Sequence, residues 1–192
     1  MSTAKSGFKF QPLTFENWGA LEKLFGPRGA CGGCWCMWWR LSRKEFEEKK
    51  GEGNRTALRR LVKGKTQNGI IAYDEKNPVG WIAFAPREQY LKLETSKILK
   101  PVDDKPVWSV TCFFINKEYR KRGLTIELLK EAEKHTKKNG GRILEGYPID
   151  PKNKEYAPVF ANTGLESAYR KAGFTEVARR SQTRPIMRKV LI

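Results

Sequence analysis

The sequence predicts an α/β fold of the α+β type, with a mixed, mostly antiparallel central sheet flanked by helices. Two apolar runs, Gly69 to Tyr73 and Val79 to Ala85, are separated by a short turn, which is typical of an antiparallel hairpin. Further along, an apolar run leads through a turn into a helical pattern and then into another strand, which indicates a strand–helix–strand unit. A length of 192 residues fits one domain, and we expect residues 1–192 to form it.

In the N-terminal half, the pattern alternates between short strands and amphipathic helices. Trp18, Leu21 and Leu24 recur at helical spacing, and Thr14 is placed to cap that helix. Ser42 and Glu45 have the spacing of a capping box. The predicted elements are a strand Phe8 to Leu13, a helix Phe15 to Phe25, a charged helical region Ser42 to Lys65 interrupted around Gly51 to Gly53, and the hairpin strands.

The C-terminal half begins with a basic, mostly polar insertion, Pro86 to Pro106, which we expect to be a solvated loop. It continues with the longest apolar run and ends in a short helix, closed by Gly173, and two strands. The predicted elements are a strand Val107 to Ile115, a helix starting near Leu124, a strand Arg142 to Ile149, a helix Leu165 to Ala172, and strands Phe174 to Arg179 and Pro185 to Leu191.

The composition is strongly basic, with a net charge of +17. Such an excess attracts polyanions, so nucleic acid is a possible partner, although cations spread along the chain are more typical of a solvated surface. No apolar run approaches the roughly 20 residues of a membrane helix, so we expect no membrane partner. The first 15 residues lack the apolar core of a signal peptide, which favours a cytoplasmic location.

The segment from Arg120 to Thr125 has the properties of a phosphate-binding turn. It follows a buried strand, contains one glycine among basic residues, and precedes an amphipathic helix. Free N–H groups and the positive end of the helix dipole meet at such a helix N-terminus and attract anions. The segment therefore predicts a site for a pyrophosphate.

These residues resemble the GNAT N-acetyltransferase superfamily. The family motif of Arg or Gln, two residues, Gly, one residue, and Gly or Ala is matched by Arg120 to Thr125, with Thr125 in the last position. About 45 residues downstream, Ala168 to Phe174 resembles the family's second motif, a Tyr on a short helix before Gly-Phe. The similarity in element order covers Phe8 to Leu191 and is specific over Val107 to Phe174.

The resemblance implies a sheet splayed between strands 4 and 5, and direct transfer of an acetyl group from acetyl-CoA to a primary amine. The main chain near Gly123 would hold the pyrophosphate, and the pantetheine arm would lie along strand 4 like an added strand. A strand-4 N–H would stabilise the oxyanion. The residues implied in coenzyme binding are Phe113, Phe114, Ile115, Arg120, Lys121, Arg122, Gly123, Leu124 and Thr125.

Two residues are candidates for catalysis. Tyr169 matches the family's general acid, which would protonate the leaving thiolate; the alternative is a core aromatic side chain. Glu145 is the first candidate for the base that deprotonates the amine, and Asp150 is the second. The alternative for Glu145 is a structural ion pair with an arginine.

The segment Cys31 to Arg40 contains three cysteines and three tryptophans. The cysteines, with Cys112, could hold zinc, but their spacing is not that of a zinc knuckle, and we expect no metal. In the family this connection lines the acceptor site, which makes it a candidate acceptor pocket; the alternative is packing onto the core. The residues predicted to contact the acceptor are Cys34, Trp35, Met37, Trp38 and Trp39.

The expected function is an acetyl-CoA-dependent N-acetyltransferase. A small-molecule amine is the favoured acceptor, and a peptide or protein amine is second. Two alternatives have the same fold without catalysis: a basic nucleic-acid-binding protein and a coenzyme A-binding sensor. The sequence does not fix the oligomeric state, although a dimer would be consistent with it.

Overall fold

The structure, a computed structural model, describes residues 7–64, 66, 68–151 and 162–192. Within these ranges the strands form a single seven-stranded sheet in the order β1-β2-β3-β4-β5-β7-β6. Every neighbouring pair is antiparallel except β4 and β5, which confirms the mixed, mostly antiparallel sheet. The strands are β1 (Phe8–Pro12), β2 (Gly69–Asp74), β3 (Asn77–Pro86), β4 (Trp108–Ile115), β5 (Ile143–Gly146), β6 (Thr175–Arg179) and β7 (Pro185–Val190).

Helices cover both faces of the sheet. They are α1 (Trp18–Phe25), α2 (Arg43–Glu48), α3 (Glu52–Lys63), α4 (Leu91–Glu94), α5 (Leu124–Lys138) and α6 (Glu166–Lys171). The Ser42–Glu45 capping box is confirmed, and the charged region divides into α2 and α3 near Gly51, as predicted. Lys65, the last residue of that predicted region, lies outside the described residues.

Four sequence predictions were wrong. Thr14 does not cap the first helix, whose N-cap is Asn17, and the strand predicted from Arg142 to Ile149 ends at Gly146. The first helix begins at Trp18 and not at Phe15, because Asn17 accepts a hydrogen bond from the Thr14 N–H (2.8 Å) and closes a turn that leaves Phe15 exposed. The insertion Pro86 to Pro106 is not a solvated loop. It carries α4, and its Tyr90, Leu93 and Leu99 form a buried cluster against the sheet.

β4 and β5 pair over a short stretch and then separate, which produces the splay between them. Only Trp108 to Val110 pair with Leu144 to Gly146. Beyond that point β5 ends, while β4 continues to Ile115 and stays paired with β3. The chain after β5 is instead joined to the start of α6 through a bridge between Ile149 and Leu165. A gap therefore opens along the last residues of β4.

The core lies on both faces of the sheet. On one face α5 and α6 bury an apolar cluster that includes Leu124, Leu128 and Tyr169. On the other face α1, α2 and α3 cover a second cluster around Leu21, Trp81 and Cys112. Each fully buried large apolar side chain stabilises the fold by about 1.5–3 kcal/mol. The two clusters therefore stabilise the packing of the helices on both faces of the sheet. Among the described helices, none is both long and apolar enough to cross a bilayer.

Candidate active site

A cavity of about 240 Å³ lies at the gap beside the end of β4. It is open to solvent, and most of its lining is apolar, with a basic side chain and a hydroxyl at one end. The lining residues come from β4, the turn before α5, the start of α6 and the cysteine segment: Cys31, Phe113, Phe114, Ile115, Arg120, Thr125, Asn162, Gly164, Leu165 and Ala168. The strand, the basic turn and the helix of the second motif thus meet in one place, as the sequence predicted.

The turn before α5 leaves the helix N-terminus free for a ligand. Lys121 and Gly123 both have positive φ angles, 62° and 79°, and Gly123 is the N-cap. No side chain caps α5, and the Ile126 and Glu127 N–H groups donate to the Gly123 carbonyl (2.9 and 3.3 Å). The N–H groups of Leu124 and Thr125, the first two of the helix, are therefore the ones that a ligand can bind. A Cβ on Gly123 would have no atom within 4 Å. Glycine is therefore required here by the backbone angle and not by crowding within the protein.

The side chains of the turn have different roles. Arg120 lines the cavity, and its Nε–H donates to the carbonyl of Ile115 (3.1 Å). The Arg122 guanidinium lies over the Tyr119 ring, 5.1 Å from its centroid. Leu124 is buried in the core, so only its main chain is available to a ligand. Arg120 and Thr125 are therefore the turn side chains nearest to a molecule in the cavity.

The edge of β4 is partly occupied within the protein. The Phe113 N–H donates to the Asn162 carbonyl at 2.6 Å. Phe114 and Ile115 are half-buried and reach the cavity, although the Phe114 ring also packs against Phe25 at 5.4 Å between centroids. A ligand that pairs with the main chain of β4 at Phe113 therefore has to replace the hydrogen bond between the Phe113 N–H and the Asn162 carbonyl.

Tyr169 fills the space between β4 and β5 behind the cavity. It is fully buried, and its hydroxyl donates to the Thr163 carbonyl (3.3 Å). Its ring meets Phe113 edge-on, 6.2 Å between centroids. Burial raises the pKa of Tyr169 above its ordinary value, with a further contribution from Cys112. The hydroxyl therefore keeps its proton at neutral pH.

Glu145 lies in a buried ionic cluster that does not line the cavity. Its carboxylate accepts from Arg87 (3.2 Å), from Arg188 (2.5 Å) and from the Tyr147 hydroxyl (2.6 Å). The carboxylate pairs with two arginines, which favours the structural alternative, and its role as a base stays a prediction. Asp150 accepts a hydrogen bond from Arg179 (2.7 Å).

The tryptophan-rich segment packs onto the core for most of its length. Trp35 is buried and stacks on Trp18, with centroids 6.0 Å apart, and Met37 is buried beside it. Trp39 packs against the Tyr90 cluster. Trp38 is the exception: it is 39% exposed, and the Lys92 Nζ lies 2.9 Å from its ring centroid. The structure therefore favours the packing alternative for Trp35, Met37 and Trp39.

The cysteines lie close to one another, although the described ranges hold no group of three His, Cys, Asp or Glu side chains that could bind a metal ion. Cys36 is buried and accepts a hydrogen bond from the Trp81 indole (3.1 Å). Cys34 is half-buried, and its thiol contacts the Gly29 carbonyl at 3.9 Å. Cys31 is exposed and forms part of the cavity wall.

The sequence did not predict four residues of the cavity wall: Asn162, Gly164, Leu165 and Ala168. Their only signal was the second motif, because Ala168 and Leu165 occupy the helix turn before Tyr169. The positive φ of Gly164, 82°, turns the chain into that helix. Such a turn is visible in the sequence only as a single glycine.

The chain is similar to known proteins both in its sequence pattern and in its fold. The model of the Acetyltransferase (GNAT) family matches residues 35–174. A search of curated proteins found no significant match. Many solved structures share the fold with the chain. One is the PaiA N-acetyltransferase of Thermoplasma acidophilum in complex with coenzyme A, with 18% identity, 99% of both chains covered and a TM-score of 0.53.

Two other solved structures give similar scores. An acetyltransferase of the GNAT family from Streptococcus agalactiae has 11% identity, 96% of both chains covered and a TM-score of 0.57. The ribosomal-protein-S5-alanine acetyltransferase of Vibrio fischeri has 12% identity, with 100% of this chain and 97% of that chain covered and a TM-score of 0.54. At these identities the likeness concerns the fold.

Proposed function

Because the chain belongs to the Acetyltransferase (GNAT) family, we propose that it is an N-acetyltransferase that transfers the acetyl group of acetyl-CoA to the primary amine of a small molecule. The observation that carries the proposal is the cavity where the uncapped N-terminus of α5 meets the end of β4, beyond the residues that pair with β5. The similar Thermoplasma acidophilum enzyme was solved with coenzyme A.

The turn from Arg120 to Thr125 is suited to the pyrophosphate of the coenzyme. The free N–H groups at the start of α5 and the helix dipole attract an anion. Arg120 adds a positive charge at the cavity wall, and the Thr125 hydroxyl can donate to a phosphate oxygen. The apolar wall from Phe113 to Ile115 suits the pantetheine arm, whose polar amides can bond to the main chain of the strand.

The gap between β4 and β5 is the proposed site of the reaction. The neutral amine nitrogen attacks the thioester carbonyl, the C–S bond breaks, and the thiolate leaves as coenzyme A. The nitrogen gives up its second proton to solvent as the amide forms. Tyr169 lies at the base of the gap with its hydroxyl protonated. Because its pKa is above that of a thiol, the hydroxyl stabilises the thiolate mainly by donating a hydrogen bond and not by complete proton transfer.

The acceptor amine must lose one proton before attack. Glu145 is held by Arg87 and Arg188, so a direct proton transfer to it would have to compete with two ion pairs. Release of the proton to solvent through the open cavity is the simpler route. The proposed acceptor is an aromatic or amphipathic small amine, because the cavity wall is mostly apolar. Trp38, which exposes part of its ring, does not line this cavity.

The proposal is tested by binding and by turnover. Acetyl-CoA should raise the melting temperature of the protein, because a ligand that binds only the folded state stabilises it. Mass spectrometry should then detect acetylated products from a panel of small primary amines, with peptide α-amines as a second panel. A protein that acetyl-CoA does not stabilise, and that acetylates no amine, would contradict the proposal.

A further inference from the structure

Cys31 and Cys34 are the first and last residues of a tight turn. The two residues between them, Gly32 and Gly33, have φ angles of 58° and 76°. The Cys34 N–H donates to the Cys31 carbonyl at 3.2 Å. Two consecutive residues of positive φ inside such a hydrogen bond are typical of a type I′ turn, which glycines adopt without strain. The first and last Cα atoms of a β-turn lie less than about 7 Å apart, within the range that a disulfide spans.

The turn is fixed to the rest of the protein at Gly33. The Gly33 carbonyl accepts from the Gly51 N–H (3.0 Å) and from the amide of Asn54 (3.1 Å), a fully buried side chain. A Cβ on Gly33 would lie 2.7 Å from the Gly51 nitrogen, so only glycine fits. The backbone that carries the two cysteines is therefore fixed in this turn by the fold.

The pair lies between the solvent and the cavity. Cys31 is exposed and lines the cavity with Phe113, Phe114 and Arg120. Cys34 is half-buried behind it. The other two cysteines of the chain, Cys36 and Cys112, are buried in the core. Cys31 is thus the thiol that a small molecule meets first, and Cys34 is the neighbour that can react next.

We propose that Cys31 and Cys34 form a redox-active pair that responds to small-molecule disulfides at the wall of the coenzyme cavity. The Cys31 thiolate attacks one sulfur of the disulfide, and a mixed disulfide forms as one thiolate leaves. The Cys34 thiolate then attacks the Cys31 sulfur, which closes the Cys31–Cys34 bond and releases the second thiolate. Two protein thiols are oxidised and one small disulfide is reduced to two thiols, with the two protons of the protein thiols taken up by the two released thiolates.

Closing the bond changes the cavity. The Cys31 sulfur has to turn toward Cys34 and away from the wall that it shares with Phe113 and Arg120. The oxidised protein therefore loses one contact surface of the cavity and binds acetyl-CoA more weakly. The weaker binding of acetyl-CoA rests on the proposed function, whereas the formation of the disulfide does not.

Burial and the nearby Cys34 raise the pKa of Cys31, while Arg120 lowers it. Since the thiolate is the reactive form, exchange at neutral pH is slow compared with that of an activated catalytic cysteine. The pair is therefore suited to a sustained change in redox conditions and not to rapid turnover.

The test uses oxidised glutathione as the probe and peptide mapping by mass spectrometry without reduction. The expected product in the wild-type protein is a Cys31–Cys34 disulfide, with Cys36 and Cys112 still free. In Cys34→Ser, the mixed disulfide with glutathione should accumulate on Cys31, and Cys31→Ser should form neither product. A wild-type protein in which Cys31 stays free, or pairs with another cysteine, would overturn the proposal.

Calorimetry with acetyl-CoA tests the effect on the cavity, with each protein compared with itself before and after oxidation. The wild type should bind about threefold or more weakly when oxidised and recover with reductant, while Cys31→Ser should bind equally in both states. Equal wild-type affinity in both states would overturn the regulatory part. If the reduced protein does not bind acetyl-CoA at all, the proposed function fails, and the peptide mapping still decides whether the disulfide forms.

Discussion

Gly146 leaves the space that the ring of Tyr169 occupies. A Cβ on Gly146 would overlap the ring edge and would lie 2.7 Å from the Tyr169 hydroxyl oxygen. Gly146 is the last residue of β5, and Phe113 of β4 meets the same ring on another side. Tyr169 therefore acts as a wedge at the point where the two strands separate, and the shape of the gap depends on this one glycine.

Gly146→Ala is expected to destabilise the protein by about 1–3 kcal/mol, because the added methyl group overpacks the core against a buried ring. It should also reduce kcat, since the Tyr169 hydroxyl has to move. Urea unfolding and steady-state kinetics measure the two effects. Gly19→Ala is the control: Gly19 is exposed on α1 with no atom within 4 Å of an added Cβ, so it should not lose stability. Equal behaviour of the two variants would contradict the wedge.

Tyr169→Phe should reduce kcat about 10- to 100-fold with a much smaller change in KM, because only the hydrogen bond to the leaving thiolate is lost. Its stability should change little, since the hydrogen bond of the hydroxyl to the Thr163 carbonyl is long, 3.3 Å. Tyr73→Phe, on β2, is the matched control and should keep its kcat. If Tyr169→Phe keeps wild-type kcat, Tyr169 is a core side chain only.

Glu145→Gln should reduce stability by about 1–3 kcal/mol, because each arginine loses its buried counter-charge and keeps only a more exposed one, Glu94 for Arg87 and Asp103 for Arg188. Arg87 and Arg188 are both mostly buried. Glu48→Gln, which removes an exposed partner of Lys44, should cost less than about 1 kcal/mol. Urea unfolding distinguishes the two. If instead Glu145→Gln unfolds like the wild type but loses its activity, Glu145 acts as the base.

Lys92→Met should stabilise the protein at pH 7, and the gain should shrink as the pH rises. Burial lowers the pKa of Lys92 from 10.5 to about 8. Between these values the unfolded chain holds a proton that the folded protein has released, so wild-type stability rises with pH relative to a variant without the amine. Unfolding by urea at pH 7 and pH 9.5 measures the difference. A gain that is constant or grows with pH would contradict the lowered pKa.

The order of strands and helices was largely predictable because it depends on local patterns. The apolar runs of β2 and β3, the Ser42–Glu45 capping box and the glycine after α6 each lie within a few neighbouring residues. The turn from Arg120 to Thr125 was predictable for the same reason, since strand, turn and helix are continuous in sequence.

The surroundings of single side chains were not predictable, because distant segments determine them. Arg87 and Arg188 reach Glu145 from the insertion and from β7. The insertion reads as polar, yet Tyr90 and Leu93 anchor it to the sheet. Trp35 follows a glycine-rich turn in the sequence, but it stacks on Trp18 of α1. Burial of this kind arises from tertiary packing and leaves no local pattern.

Calorimetric titration of acetyl-CoA into Gly123→Ala and Gly140→Ala tests most directly whether the start of α5 holds the coenzyme. The two glycines have nearly the same φ, 79° and 78°, and an added Cβ would touch nothing within 4 Å at either position. The backbone strain is therefore matched, at roughly 1–2 kcal/mol, while only Gly123 lies at the N-terminus of α5.

Gly123→Ala should weaken acetyl-CoA binding about tenfold or more, while Gly140→Ala should bind acetyl-CoA like the wild type. Equal affinities in the two variants would show that the start of α5 does not hold the coenzyme.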